Sequence, residues 1–98
     1  MYRVVASARA KNGRIPDAIP AAKAIAEYVS KQGIKLDVYL QQFGPAGRIV
    51  WTAEYKDLAA VESMQSRLMA DQGYWAVVNK ASETLIEGSV EFVLLQSI

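Results

Sequence analysis

Leu36-Asp37-Val38-Tyr39-Leu40-Gln41 and Ile49-Val50-Trp51-Thr52-Ala53-Glu54 decide the fold of this chain. In both stretches every second side chain is apolar, the period of a β-strand that buries one face. The intervening side chains are mixed: Asp37, Tyr39 and Gln41 in the first stretch, Val50, Thr52 and Glu54 in the second. Such a face is half covered. Gly44-Pro45-Ala46-Gly47 separates the two stretches, and four residues of this composition suit the loop of an antiparallel hairpin. The predicted strands run from Lys35 to Phe43 and from Arg48 to Tyr55.

Working outward, residues 2–10 read as a first strand that the turn Lys11-Asn12-Gly13-Arg14 closes. Asp17 is the expected N-cap of a helix, with Pro20 at its third position, where a missing N–H has no intrahelical partner to lose. Ala18, Ala22, Ile25 and Val29 form its apolar stripe and Gly33 its stop. Beyond the hairpin, Asp57 caps a second helix with a stripe of Leu58, Val61, Met64 or Gln65, and Leu68. Asp71-Gln72-Gly73 interrupts it. Helical spacing resumes from Tyr74 to about Leu85, Gly88 ends it, and Ser89 to Ser97 alternates as a last strand.

The order strand, helix, strand, strand, helix, strand predicts an α+β fold of ferredoxin-like βαββαβ type. It is a four-stranded antiparallel sheet with the helices on one face, and it occupies residues 1–98 as one domain. Leu36, Val38, Leu40, Ile49, Trp51, Val90, Phe92 and Leu94 are assigned to the helix side. The bare face then carries Val5, Tyr39, Val50, Val93 and Leu95, more apolar surface than a face meant for water. A second copy of the chain, packed sheet to sheet as a homodimer, is the expected cover.

Composition narrows the partners. Eleven basic and ten acidic residues leave a net charge of +1, dispersed along the chain, so neither nucleic acid nor an anionic membrane surface is expected. No apolar run is long enough to span a bilayer, and the cytoplasm is the expected compartment. The chain has no cysteine and no histidine. Thiolate chemistry, Ser-His-Asp triads, His-ligated haem and His-based metal sites are thereby excluded, and no cofactor or metal is expected. Carboxylate, lysine, tyrosine and water chemistry remain.

The run from Gly47 to Glu62, followed by Leu68-Met69-Ala70-Asp71 and the pair Tyr74-Trp75, resembles the second half of a NIPSNAP-type domain. In that family a strand carrying a Trp, a loop with Asp or Ser before Leu, a helix, and an Ala-Asp-x-x-aromatic restart follow in this order. Lys11-Asn12-Gly13-Arg14 is similar to its Lys-x-Gly turn. The resemblance covers most of the chain and implies a dimeric α+β barrel, the superfamily that also holds antibiotic-biosynthesis-type monooxygenases, haem-degrading enzymes and muconolactone isomerases. One position departs. NIPSNAP-like strands often carry a His just before the Trp, and Val50 stands there instead, so no role of that His carries over; nor does the His-dependent chemistry of the haem-degrading branch.

Polar groups on the bare face are the candidate site. Glu54 or Asp37, with Glu91 as a further option, would act as general base in a desolvated cleft, with Arg9 or Arg48 holding a developing oxyanion. Arg9, Tyr39, Thr52, Glu91 and Trp75 are the candidate ligand-binding residues. The same groups can also pair across strands and across a dimer as ordinary hydrogen bonds and ion pairs. Three readings follow: a NIPSNAP-like domain binding a small apolar or aromatic metabolite in the barrel interior, a cofactor-independent monooxygenase or isomerase acting on an aromatic or polyketide-like compound, and an interaction module with a filled interior.

Overall fold

The computed structural model describes residues 1–44 and 46–98; Pro45 of the expected hairpin turn lies outside the described residues. The described residues form β1 (Tyr2–Arg9), α1 (Ile15–Ser30), β2 (Asp37–Leu40), β3 (Arg48–Tyr55), α2 (Leu58–Met69), α3 (Gln72–Ser82) and β4 (Glu91–Gln96). The sheet order is β2-β3-β1-β4, with every neighbouring pair antiparallel. This is the ferredoxin-like arrangement, in which each crossover returns over one face of the sheet. Register fixes the faces. Ala6 lies opposite Trp51 and Phe92, while Val5 lies opposite Thr52 and Val93.

Several boundaries differ from the sequence expectation: α3 spans Gln72–Ser82 rather than Tyr74 to about Leu85, with Asp71 as its cap, β4 spans Glu91–Gln96 rather than Ser89 to Ser97, and two further differences concern α1 and β2. Asp17 is not the N-cap of α1, because the helix starts at Ile15 and Arg14 occupies the cap position. Pro16 explains the shift: its fixed φ suits the first helical turn, where its missing N–H costs nothing. Asp17 instead sits in that turn and accepts a 2.8 Å bond from Arg14 Nε, and Pro20 falls inside the helix rather than at its third position. The second difference is the length of β2, which covers Asp37–Leu40 rather than Lys35 to Phe43. Gln41 still donates its backbone N–H to Arg48 O at 2.9 Å, after which the chain leaves the ladder.

The core is built for close approach. Ala8, Ala10, Ala18, Ala22 and Ala81 are buried together with Ile25, Val29, Ile49 and Trp51, and their short side chains let α1 lie directly on β2 and β3. Trp51 is the one large ring among them. Its indole Nε1 donates to Ala22 O at 3.1 Å, which satisfies the polar end of a buried ring. Asp57 caps α2 as expected, accepting from Ala60 N at 2.8 Å.

The helices stop short of β4. All six of its residues are exposed, and Phe92 and Leu94, on the helix side by register, remain 70% and 48% exposed. Val90 at 52% continues this open strip. The expectation that these three lie on the helix side is right about the face, but no helix covers them.

Candidate functional site

Between β4 and the α2–α3 corner runs an apolar trough with two lobes. One, about 290 Å³, is lined by Val61, Met64, Met69 and Leu94 among others. The second, about 200 Å³, reaches down to Ala8, Trp51, Val78 and Leu85. Val4, Tyr55, Leu68, Tyr74 and Phe92 line both, so the lobes adjoin. No charged side chain among the described residues lines either lobe. Burial pushes the phenols of both Tyr55 and Tyr74 above their ordinary pKa, with the Arg67 guanidinium partly offsetting this at Tyr55. Both hydroxyls therefore stay protonated at neutral pH. Such walls suit an uncharged apolar molecule.

Tyr74 reaches the trough because α3 is held at a fixed angle. Asp71 caps α3, its Oδ1 accepting from Gly73 N at 2.9 Å and Tyr74 N at 3.3 Å. Tyr28 of α1 donates its hydroxyl to the same carboxylate at 2.7 and 2.8 Å. The Tyr28 bond, followed by the two backbone bonds, holds the Asp71 carboxyl below its ordinary pKa against the opposing effect of burial. Gly73 makes room for this clamp, since a Cβ there would stand 2.3 Å from Tyr28 Oη. Alanine at an ordinary helical site is worth about 1 kcal/mol over glycine. Here the gain is opposed, because Tyr28 must move and give up its charge-assisted bond to Asp71. We expect Gly73→Ala to lower the melting temperature in wild type and to lower it less in a Tyr28→Phe background, where the ring Cζ still crowds the added Cβ at 2.9 Å but no hydrogen bond is lost; equal effects in both would exclude the clamp.

Neither a protein-family model nor a curated protein matches the chain. Solved structures do. An uncharacterized NIPSNAP domain protein from Burkholderia xenovorans superposes with a TM-score of 0.84 at 20% identity, over 100% of this chain and 95% of that one. The chain has the NIPSNAP-type fold. A NIPSNAP family protein from Agrobacterium tumefaciens strain C58 superposes at 0.78 with 17% identity, covering 99% of this chain and 92% of the other. An antibiotic biosynthesis monooxygenase gives 0.75 with 20% identity, over 100% and 99%.

On this NIPSNAP-type fold the polar residues singled out from the sequence share the bare face but do not converge. Glu54 is paired with Arg3 at 2.6 Å, both side chains nearly half exposed, and Asp37 lies 3.8 Å from Lys35. Arg9 sits directly across from Arg48 at the far end of β1 and β3. Six residues of strand separate Arg48 from Glu54, about 20 Å. Within one chain that base and that oxyanion holder cannot serve one reacting atom, which requires both within about 3 Å. Glu91 lies across from Ser7, Thr52 lies between Val5 and Asp37, and Tyr39 lies across from Val50.

None of these residues lines the trough, and Trp75 does not line it either. The Trp75 indole donates to Met69 O at 2.9 Å, and its ring stands edge to face with Tyr74 at 5.5 Å. Tyr74 is the inward member of the aromatic pair. Tyr55 was missed by the sequence reading. Its signal was available, since it follows Trp51 and Ala53 in the buried alternation and brings a hydroxyl to a position otherwise held by apolar side chains.

Proposed function

We propose that the protein is a homodimeric small-molecule-binding domain, each copy holding a neutral apolar or aromatic metabolite in the trough between β4 and the α2–α3 corner. The observation that carries this reading is the uncovered wall of the trough. Phe92 and Leu94 leave large apolar areas in solvent, and covering what remains exposed returns roughly 1–2 kcal/mol each. The expected location thus moves. Instead of the space between the bare face and a partner, the volume that supports ligand binding lies on the helix side of the same sheet. The bare face is left to the second copy.

A neutral apolar fluorophore, N-phenyl-1-naphthylamine, tests the trough. Its emission is expected to rise on binding the wild-type protein, and Phe92→Arg is expected to weaken binding at least about tenfold, the equivalent of about 1.4 kcal/mol. Phe92 is exposed enough for this change to leave the fold intact. Absence of binding by wild type, or equal binding by the variant, would refute the trough as the site.

Cofactor-independent oxygenation is the second reading, favoured by the fold shared with an antibiotic biosynthesis monooxygenase. It lacks a carboxylate at the trough to act as base. Oxygen uptake with quinols and anthrones as substrates separates turnover from binding.

A further inference from the structure

We infer that the Tyr55 hydroxyl is the polar recognition point of the trough, donating a hydrogen bond to a carbonyl or hydroxyl oxygen of an otherwise uncharged ligand. This rests on the trough-binding reading and sharpens it to a chemical class: an apolar molecule of ring-system size bearing a neutral oxygen acceptor.

A buried tyrosine hydroxyl needs a partner. Tyr55 is only 7% exposed, and a phenol so enclosed ordinarily finds a hydrogen-bond partner. Among the described residues no side chain or backbone group pairs with its hydroxyl, although Trp51, on the same face of the same strand, has Ala22 O. Yet no fully enclosed side-chain oxygen is left without a partner. The Tyr55 oxygen is therefore not sealed off, and Tyr55 lines both lobes of the trough. We take the hydroxyl to face this shared wall. From there the trough follows β1 from Val4 to Ala8, about 13 Å at the rise of a strand.

Charge decides the rest of the class. No charged side chain among the described residues lines the trough, so an ammonium brought inside would lose its hydration without compensation, and a carboxylate would find only the Arg67 guanidinium near Tyr55, already bonded to Gln32 O. A neutral acceptor loses little and gains the phenol's proton. The net worth of one such bond, about 0.5–1.5 kcal/mol, corresponds to roughly a 2- to 12-fold preference for a ligand that carries the acceptor.

Fluorene and 9-fluorenone differ by that one oxygen, and Trp51, which lines the inner lobe, gives a fluorescence signal for both. Wild type is expected to bind fluorenone about 3- to 10-fold more tightly than fluorene. Tyr55→Phe is expected to erase the preference, leave fluorene binding unchanged and keep the melting temperature, because no protein hydrogen bond is lost. Retention of the preference in Tyr55→Phe, its loss in Tyr74→Phe instead, or equal wild-type affinities for the two probes would overturn the assignment while leaving the trough as a binding site. Failure of wild type to bind either probe would overturn both.

Discussion

Trp51→Ala is expected to lower folding stability by about 3–5 kcal/mol, a large share of the roughly 5–15 kcal/mol available to a domain. The ring is 7% exposed, and its indole is bonded to α1. Removing it takes away the largest side chain of the alanine-rich interface. The neighbours cannot fill the space: Ala6 across the ladder and Ala22 above are too short to reach in. Trp51 also borders the inner lobe, so the void joins existing volume. These conditions favour the upper end of the range, since the cost rises with the cavity that remains. Urea denaturation at fixed protein concentration should show a lower midpoint with an unchanged slope. A loss below about 1 kcal/mol would mean that the ring does not hold α1 on the sheet.

Val93→Asp is expected to convert the proposed dimer to a monomer. Val93 is 47% exposed and lies beside Val5 on the bare face, with Leu95 two residues further along. A carboxylate there, covered by a second copy and without a partner, costs roughly 2 kcal/mol or more. Two-fold symmetry repeats the substitution on the facing copy, so association weakens by about a thousandfold. Light scattering at micromolar concentration reads the mass of both proteins. Leu94→Asp is the control, because it sits on the same strand but points to the trough; it should leave the dimer intact. A monomeric wild type would sink the sheet-to-sheet pairing altogether.

The fold was legible where one local signal dominated. Arg48–Tyr55 alternates without interruption, and Asp57 is the only good cap ahead of the Leu58–Met69 stripe, so β3 and α2 emerge with their expected ends. Around α1 two signals competed. Asp17 is a good cap and Pro16 a good first-turn residue, and the stiff ring of the proline prevailed. The site was less legible for a different reason. Polar side chains draw attention to the bare face, whereas a trough made of Val4, Leu68 and Phe92 uses the same residue types as a core. Only the reach of the helices distinguishes a filled core from an open one, and that depends on the turn at Asp71, where the clamp to Tyr28 sets the path of α3.

β4 is tied to the sheet by β1 alone, and its side chains alternate between two uncovered surfaces. Phe92 and Leu94 belong to one, Val93 and Leu95 to the other. In the proposed assembly a ligand in the trough and a second copy on the bare face would both touch this strand, and if one changed the affinity of the other by some factor, the reverse effect would have the same size.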